Sequence, residues 1–194
     1  MCIEIIGDMS VSHIIQKIKT GMILCKVNFL NRIFNLFGYW RYEMYKQIII
    51  VRKDLKMSIG KICSQVSHGS MAFLTWMIRN NAYPAEWTGI STFKNDADIY
   101  CCNLKFDVDL YEQWINGEFT KCVLQAKNKN QLLKAKTMAE ELGMKEGEDF
   151  WLIKDNCHTE LEPEEDGRTL TVIGFKPMDS EIIDKIGRKY HLYI

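Results

Sequence analysis

Lys46 to Lys53 reads KQIIIVRK, four β-branched residues in a row held between charged ends. A short unbroken apolar run of this kind predicts a central strand buried on both faces. Ser58 follows as a candidate N-cap, and a helix is expected from there to about Asn80. On a helical wheel Ile59, Ile62, Cys63, Val66, Gly69, Ser70, Phe73 and Met77 gather on one side. Lys61, Gln65, His68 and Ala72 gather on the other, within roughly 60° of one another. The expectation is one buried face and one exposed row of ammonium, amide and imidazole.

The same reading continues along the chain. TKCVLQA (120–126) predicts a second strand, and Asn128 to Leu142 a second helix ended by Gly143. Strands are expected at Asp149–Lys154 and Thr169–Phe175, a short helix at Ser180–Ile186, and a last extended piece at Tyr190–Tyr193. Alternating strands and helices make this an α/β layered domain with a mixed sheet of about four strands flanked by helices.

Two stretches stand outside that pattern. Residues 1–43 read as an N-terminal extension, helical or poorly ordered, and residues 44–194 as the domain. Within the domain, residues 91–118 read as an insertion. Gly21 to Trp40 is amphipathic and aromatic, but Lys26, Arg32 and three asparagines argue against a membrane span. A helix packed on the domain or lying at an interface fits better. In the insertion, Leu104, Phe106, Val108 and Leu110 alternate with polar positions and predict an extra strand, while DLYEQWING fits a short helix equally well.

Composition narrows the function. The 194 residues carry no net charge, so an anionic partner needs a local patch. That patch exists: Lys46, Arg52, Lys53, Lys56 and Lys61 face only Asp54 over residues 46–61. Lys61 falls in the first helical turn, where free N–H groups favour anions, so a negative partner is expected beside it. Physical chemistry alone thus reads an anion-binding helix start. Seven cysteines without a CxxC, and a start interrupted by Glu4 and Asp8, predict reduced thiols in a cytoplasmic protein.

VRKDLKMSIGKICSQVSH resembles the signature of the archaeal/eukaryotic-type peptidyl-tRNA hydrolases. There a strand ending V-R-x-D-L-K-M leads to G-K-x-A-x-Q-x-S-H-A, and Lys61, Gln65, Ser67 and His68 match in position. KCVLQAKNKNQLLKAKTMAEELGM is similar to the second strand and helix of that family. LIKDNCHTELEP is similar to its L-I-x-D-A-G-R-T-Q-I-x-P loop, with Asp155 and Thr159 in register. TVIGFKP and IIDKIGRKYHLY resemble the closing segments. The likeness spans roughly residues 46–90 and 119–194.

The resemblance implies hydrolysis of the ester between a peptide and the terminal ribose of tRNA, with no metal and no cofactor. It implies Lys61, Asp155, Thr159 and Thr171 as catalytic residues. Asp155 would position or activate water, Lys61 would pair with it or stabilise negative charge, and the threonines would supply hydroxyls. Arg52, Lys53, Lys56, Gln65, Ser67 and His68 would line the site or contact RNA. The partner is peptidyl-tRNA rather than DNA or a membrane; a homodimer is left open.

The chain departs from the family at Cys157-His158, which replace Gly-Arg, and at Glu160, which replaces Gln. Residues 152–166 carry six carboxylates against Lys154. That predicts repulsion of phosphate at this edge and a raised Asp155 pKa. RNA is then expected from the Lys53–Lys61 side. Adjacent Cys157 and His158 point opposite ways on an extended chain, which argues against a thiol nucleophile. The rival reading is a non-catalytic protein that binds tRNA or a protein partner through the same fold.

Overall fold

The computed structural model describes residues 44–84 and 99–194; the N-terminal extension (1–43) and residues 85–98, which take in the start of the expected insertion, lie outside them. The first strand, β1 (Tyr45–Arg52), leads to helix α1 (Ile59–Asn81). Two short strands, β2 (Ala82–Pro84) and β3 (Tyr100–Cys102), pair with each other. Then come a π-helix (Leu110–Glu118), β4 (Lys121–Ala126), α2 (Lys129–Glu141), β5 (Phe150–Asp155) and β6 (Thr169–Phe175). The chain closes with β7 (Met178–Asp179), α3 (Ser180–Gly187) and β8 (His191–Leu192).

The main sheet runs β5-β6-β1-β4-β8, with β7 also on β1. It is mixed: β1 and β4 are parallel, and the other pairs are antiparallel. The sheet has six strands rather than about four. The additions are two-residue pieces: β8 falls in the extended piece expected at Tyr190–Tyr193, while β7 is too short to leave a periodic trace.

The apolar run of β1 is buried on both faces, as its composition predicts. Ile48 and Ile50 pack towards α2 and α3 with Leu124, Leu132 and Ile183. Ile49 and Val51 pack on the other side with Val172, Ile62 and Val66. Both helix starts are capped locally: Ser58 accepts from the Lys61 amide and Asn128 from the Gln131 amide. Each such cap stabilises by about 1 kcal/mol. Gly143, at φ +82°, ends α2 as the pattern required.

Two expectations are corrected. Residues 104–107 form no strand, and the DLYEQWING segment is helical. Its Trp114 is 2% exposed, donates to the Thr120 carbonyl at 2.9 Å and sits edge-on to Phe73. Anchoring that indole decides the matter for helix.

The second correction concerns α1. Gln65 and Ala72, expected on the exposed side, are buried, whereas Ile59 is 82% exposed and Cys63 is also exposed. Part of the row, Gln65 and Ala72, is therefore turned towards the sheet, while His68 stays exposed. Two glycines permit this. A Cβ on Gly174 of β6 would lie 2.2 Å from the Gly69 carbonyl oxygen, and one on Gly69 would lie 2.9 Å from Val172. Helix and strand touch backbone to backbone. Next to that contact the buried Gln47 amide donates to the carbonyls of Ser70 and Phe175, both at 2.9 Å, and accepts from the Ser70 hydroxyl.

Candidate active site

Asp155 ends β5 and Lys61 lies in the first turn of α1. Their side chains meet at 2.8 Å, Nζ to Oδ2, with only 14% and 10% of each exposed. Lys61 Nζ also donates to the Thr159 hydroxyl at 3.0 Å. An ammonium has three donors, so these two bonds leave one to aim outward. The pair opens on a pocket of about 170 Å³ lined by Lys61, Gln65, His68, Asp155, Asn156, His158 and Thr159, with Lys154 at its rim.

Gln65 holds the carboxylate from behind. Its Nε2 donates to Asp155 Oδ2 at 2.7 Å, and its Oε1 accepts from the Thr171 hydroxyl at 2.6 Å. The carboxylate only accepts, so it takes the NH2 end of the amide, and the Thr171 hydroxyl, which also lies 3.1 Å from the Ile153 carbonyl, anchors the other end. A β-bulge brings Thr171 there: Ile153 pairs with Val172 and Lys154 with Leu170, leaving Thr171 unpaired between them. The extra residue turns Thr171 to the same side as Val172, towards α1. Thr171 is fully buried, and its link to the pocket runs through Gln65.

The turn after Asp155 closes on the same carboxylate. The Cys157 amide donates to Asp155 Oδ1 at 2.9 Å. Cys157 has φ +57°, a left-handed conformation that a glycine takes without strain. A non-glycine residue there costs about 1–2 kcal/mol, and the bond to Asp155 works against that cost. The Cys157 thiol reaches the Asp155 carbonyl and the Thr169 hydroxyl rather than His158, so it is no activated nucleophile.

Burial pushes the Asp155 carboxyl up, but the Lys61 ammonium and the Cys157 amide outweigh it, and its pKa is lowered. This reverses the expected rise. Three of the acidic neighbours are engaged elsewhere. Glu164 binds Arg52 and Lys129, both at 2.6 Å, and Asp166 binds Lys154. Glu160 accepts from the Ser58 amide at 2.8 Å. A carboxylate of the protein itself thus sits on the N-cap amide of α1.

The remaining expected contacts divide. His68 is exposed at the pocket. Lys53 and Lys56 are exposed on the turn before α1. The Ser67 hydroxyl bonds back to the Cys63 carbonyl at 2.8 Å. Arg52 is 6% exposed and is taken up by Asp54, Glu164 and the Leu170 carbonyl. Its guanidinium donors are committed to these partners. Asn156, His158 and Glu160 join the constellation although sequence reasoning treated the last two only as departures. Among the described residues no group of three metal-ligating side chains comes together.

Comparison with known proteins identifies the family. The family model described as Peptidyl-tRNA hydrolase PTH2 matches residues 45–193. A peptidyl-tRNA hydrolase of Methanopyrus kandleri is 32% identical over 144 residues, covering 74% of this chain and 93% of its own. That of Thermoplasma acidophilum is 29% identical over 147 residues, 76% and 97%. That of Thermococcus onnurineus is 29% identical over 142 residues, 73% and 92%. The matched span takes in the Lys61 helix, the Asp155 loop and the bulged strand between them, and the chain belongs to the PTH2 family of peptidyl-tRNA hydrolases.

Proposed function

We propose that this chain hydrolyses the ester bond of peptidyl-tRNA and that Asp155 and Lys61 are its reacting pair. The observation that carries the assignment is their 2.8 Å contact at the floor of an open pocket. Water held by Asp155 attacks the ester carbonyl. Its oxygen bonds to the carbonyl carbon and the bond to the ribose oxygen breaks; one water proton, passed through Asp155, ends on the ribose oxygen and the other is released to solvent, giving a free carboxylate and a tRNA 3′-terminal hydroxyl. Asp155 stays ionised at neutral pH and is a weak base, so it orients the water and draws its proton only as the new bond forms. The third donor of Lys61 meets the charge that develops on the carbonyl oxygen.

Thr159 steers the ammonium, and Gln65 and Thr171 steer the carboxylate. His68 and His158 flank the opening, where the terminal ribose would lie. Lys53 and Lys56 supply the cations nearest to α1's start and give the RNA its approach. This substrate arises where ribosomes work, which puts the chain in the cytoplasm. No described helix is long and apolar enough to cross a membrane.

The test is turnover of N-acetylated aminoacyl-tRNA. The unaltered chain releases free tRNA catalytically. Lys61→Ala and Asp155→Ala each reduce kcat by about 10²–10³, the scale of removing a transition-state donor. Stoichiometric binding without release by the unaltered chain would instead make it a tRNA-binding protein.

A further inference from the structure

A second concavity opens on the same face of the sheet. It is a groove of about 390 Å³ whose walls include Phe73, Trp76, Phe106, Leu110, Trp151 and Met178. That volume falls within the range of small-ligand sites, about 300–1,000 Å³. Trp76 is 40% exposed, and its ring lies 6.4 Å from that of Trp151.

The groove and the reacting pair share two elements. On α1, Lys61 and Gln65 meet Asp155, while Trp76 meets Trp151 further along. Helix and strand therefore run in opposite directions along one seam, with the pocket at one end and the groove at the other. Trp151 and Asp155 are four residues apart on β5 and both meet α1, so they face the same side, about 13 Å apart by the strand rise. An extended peptide advances roughly 3.3–3.6 Å per residue, and about four residues span that gap.

We infer that this groove receives apolar side chains of the peptide moiety of peptidyl-tRNA, about four to five residues from the ester. The inference rests on the reading of Asp155 and Lys61 as the reacting pair. Charge decides between peptide and RNA. The charged groups of the groove are Lys105, Lys176, Asp107 and Glu148, and Lys176 is paired with Asp149. A track for single-stranded RNA combines stacking rings with a surplus of cations, and here the charges balance. The exposed cations Lys53 and Lys56 precede the opposite end of α1. RNA and peptide thus leave the pocket in opposite directions.

Two hexapeptidyl-tRNAs test this, with leucine and phenylalanine or with two serines at the fourth and fifth residues from the ester. The unaltered chain turns over the apolar one with a kcat/KM about tenfold higher, the scale of one side chain in a hydrophobic pocket. Trp76→Ala brings that ratio close to one, and Trp76→Phe restores most of it. A ratio near one in the unaltered chain overturns the inference. So does a Trp76→Ala variant that lowers both rates equally, which is the behaviour expected if RNA occupies the groove. If the unaltered chain hydrolyses neither substrate, the catalytic reading has failed, and the groove is judged by binding alone. The amide-linked 3′-peptidylamino-adenosines of the same two peptides are then titrated by tryptophan fluorescence. About tenfold tighter binding of the apolar one, lost in Trp76→Ala, supports the groove; equal affinities overturn it.

Discussion

The Thr171 hydroxyl lies 2.6 Å from Gln65 Oε1, although 106 residues separate the two in sequence. This bond orients an amide whose other end holds Asp155 at 2.7 Å. Thr171→Val keeps the shape and removes the hydroxyl. Gln65 Oε1 then stays buried without its donor, and the amide that holds Asp155 loses its anchor. The expected result is a fall in kcat of about tenfold with little change in KM. Combining Thr171→Val with Gln65→Met should cost far less than the product of the single effects, because both act through one contact. Multiplicative losses would separate Thr171 from the site.

Asp155 sets the acid limit. Its folded pKa lies below the ordinary 3.8, so its ionised form contributes stability above that value, lost as pH falls through the folded pKa. On this basis kcat/KM loses no activity to Asp155 protonation until the pH drops below the ordinary carboxylate range. Lys61→Gln removes the ammonium and leaves the burial, so the Asp155 pKa rises. Carbon-13 NMR titration of the Asp155 carboxyl in both proteins reads this directly. An unmoved titration in the variant would mean that the ion pair does not control the carboxylate.

The seating of α1 depends on Gly174. A Cβ there would meet the Gly69 backbone, which is not the yielding end of a side chain. Gly174→Ala is expected to destabilise the fold by about 3 kcal/mol, at the upper end for overpacking. Urea unfolding measures it. A stability loss under 1 kcal/mol would mean that the helix can lift without penalty, and the short Gln65–Asp155 bond would lose its explanation.

Arg52 and Lys56 separate structure from RNA contact. Arg52→Ala strips two carboxylates of a buried partner, a change of about 3–5 kcal/mol, and lowers Tm. Lys56→Ala leaves Tm alone and weakens tRNA binding, reducing the salt slope of log K by about 0.7–0.9. If Arg52→Ala weakened binding at unchanged Tm, the structural assignment of Arg52 would be wrong.

The strands, helices and caps were legible because each is encoded locally: the β-branched run of β1, Ser58 and Asn128 at the helix starts, Gly143 at a helix end. The facing of α1 was not. A helical wheel assumes that polar residues face water, and Gln65 breaks that assumption because its partners Asp155 and Thr171 come from β5 and β6. The bulge that exposes Thr171 to α1 depends on a register between two strands, which residue type does not reveal. Arg52 counted as a free cation for a similar reason: its partner Glu164 lies 112 residues away. Summing charges over a segment finds how many there are, but not which ones are already engaged.

The segment after Asp155 bears on this last point. Glu160, Glu164 and Asp166 fasten it at Ser58, at Arg52 and Lys129, and at Lys154. Carboxylates that looked like a barrier to RNA work as a clasp. A clasp made largely of ion pairs loosens as ionic strength rises, most of all at its exposed Lys154 end. Salt would then act on this protein twice, once by weakening the attraction for tRNA and once by relaxing the frame that keeps Asp155 aimed.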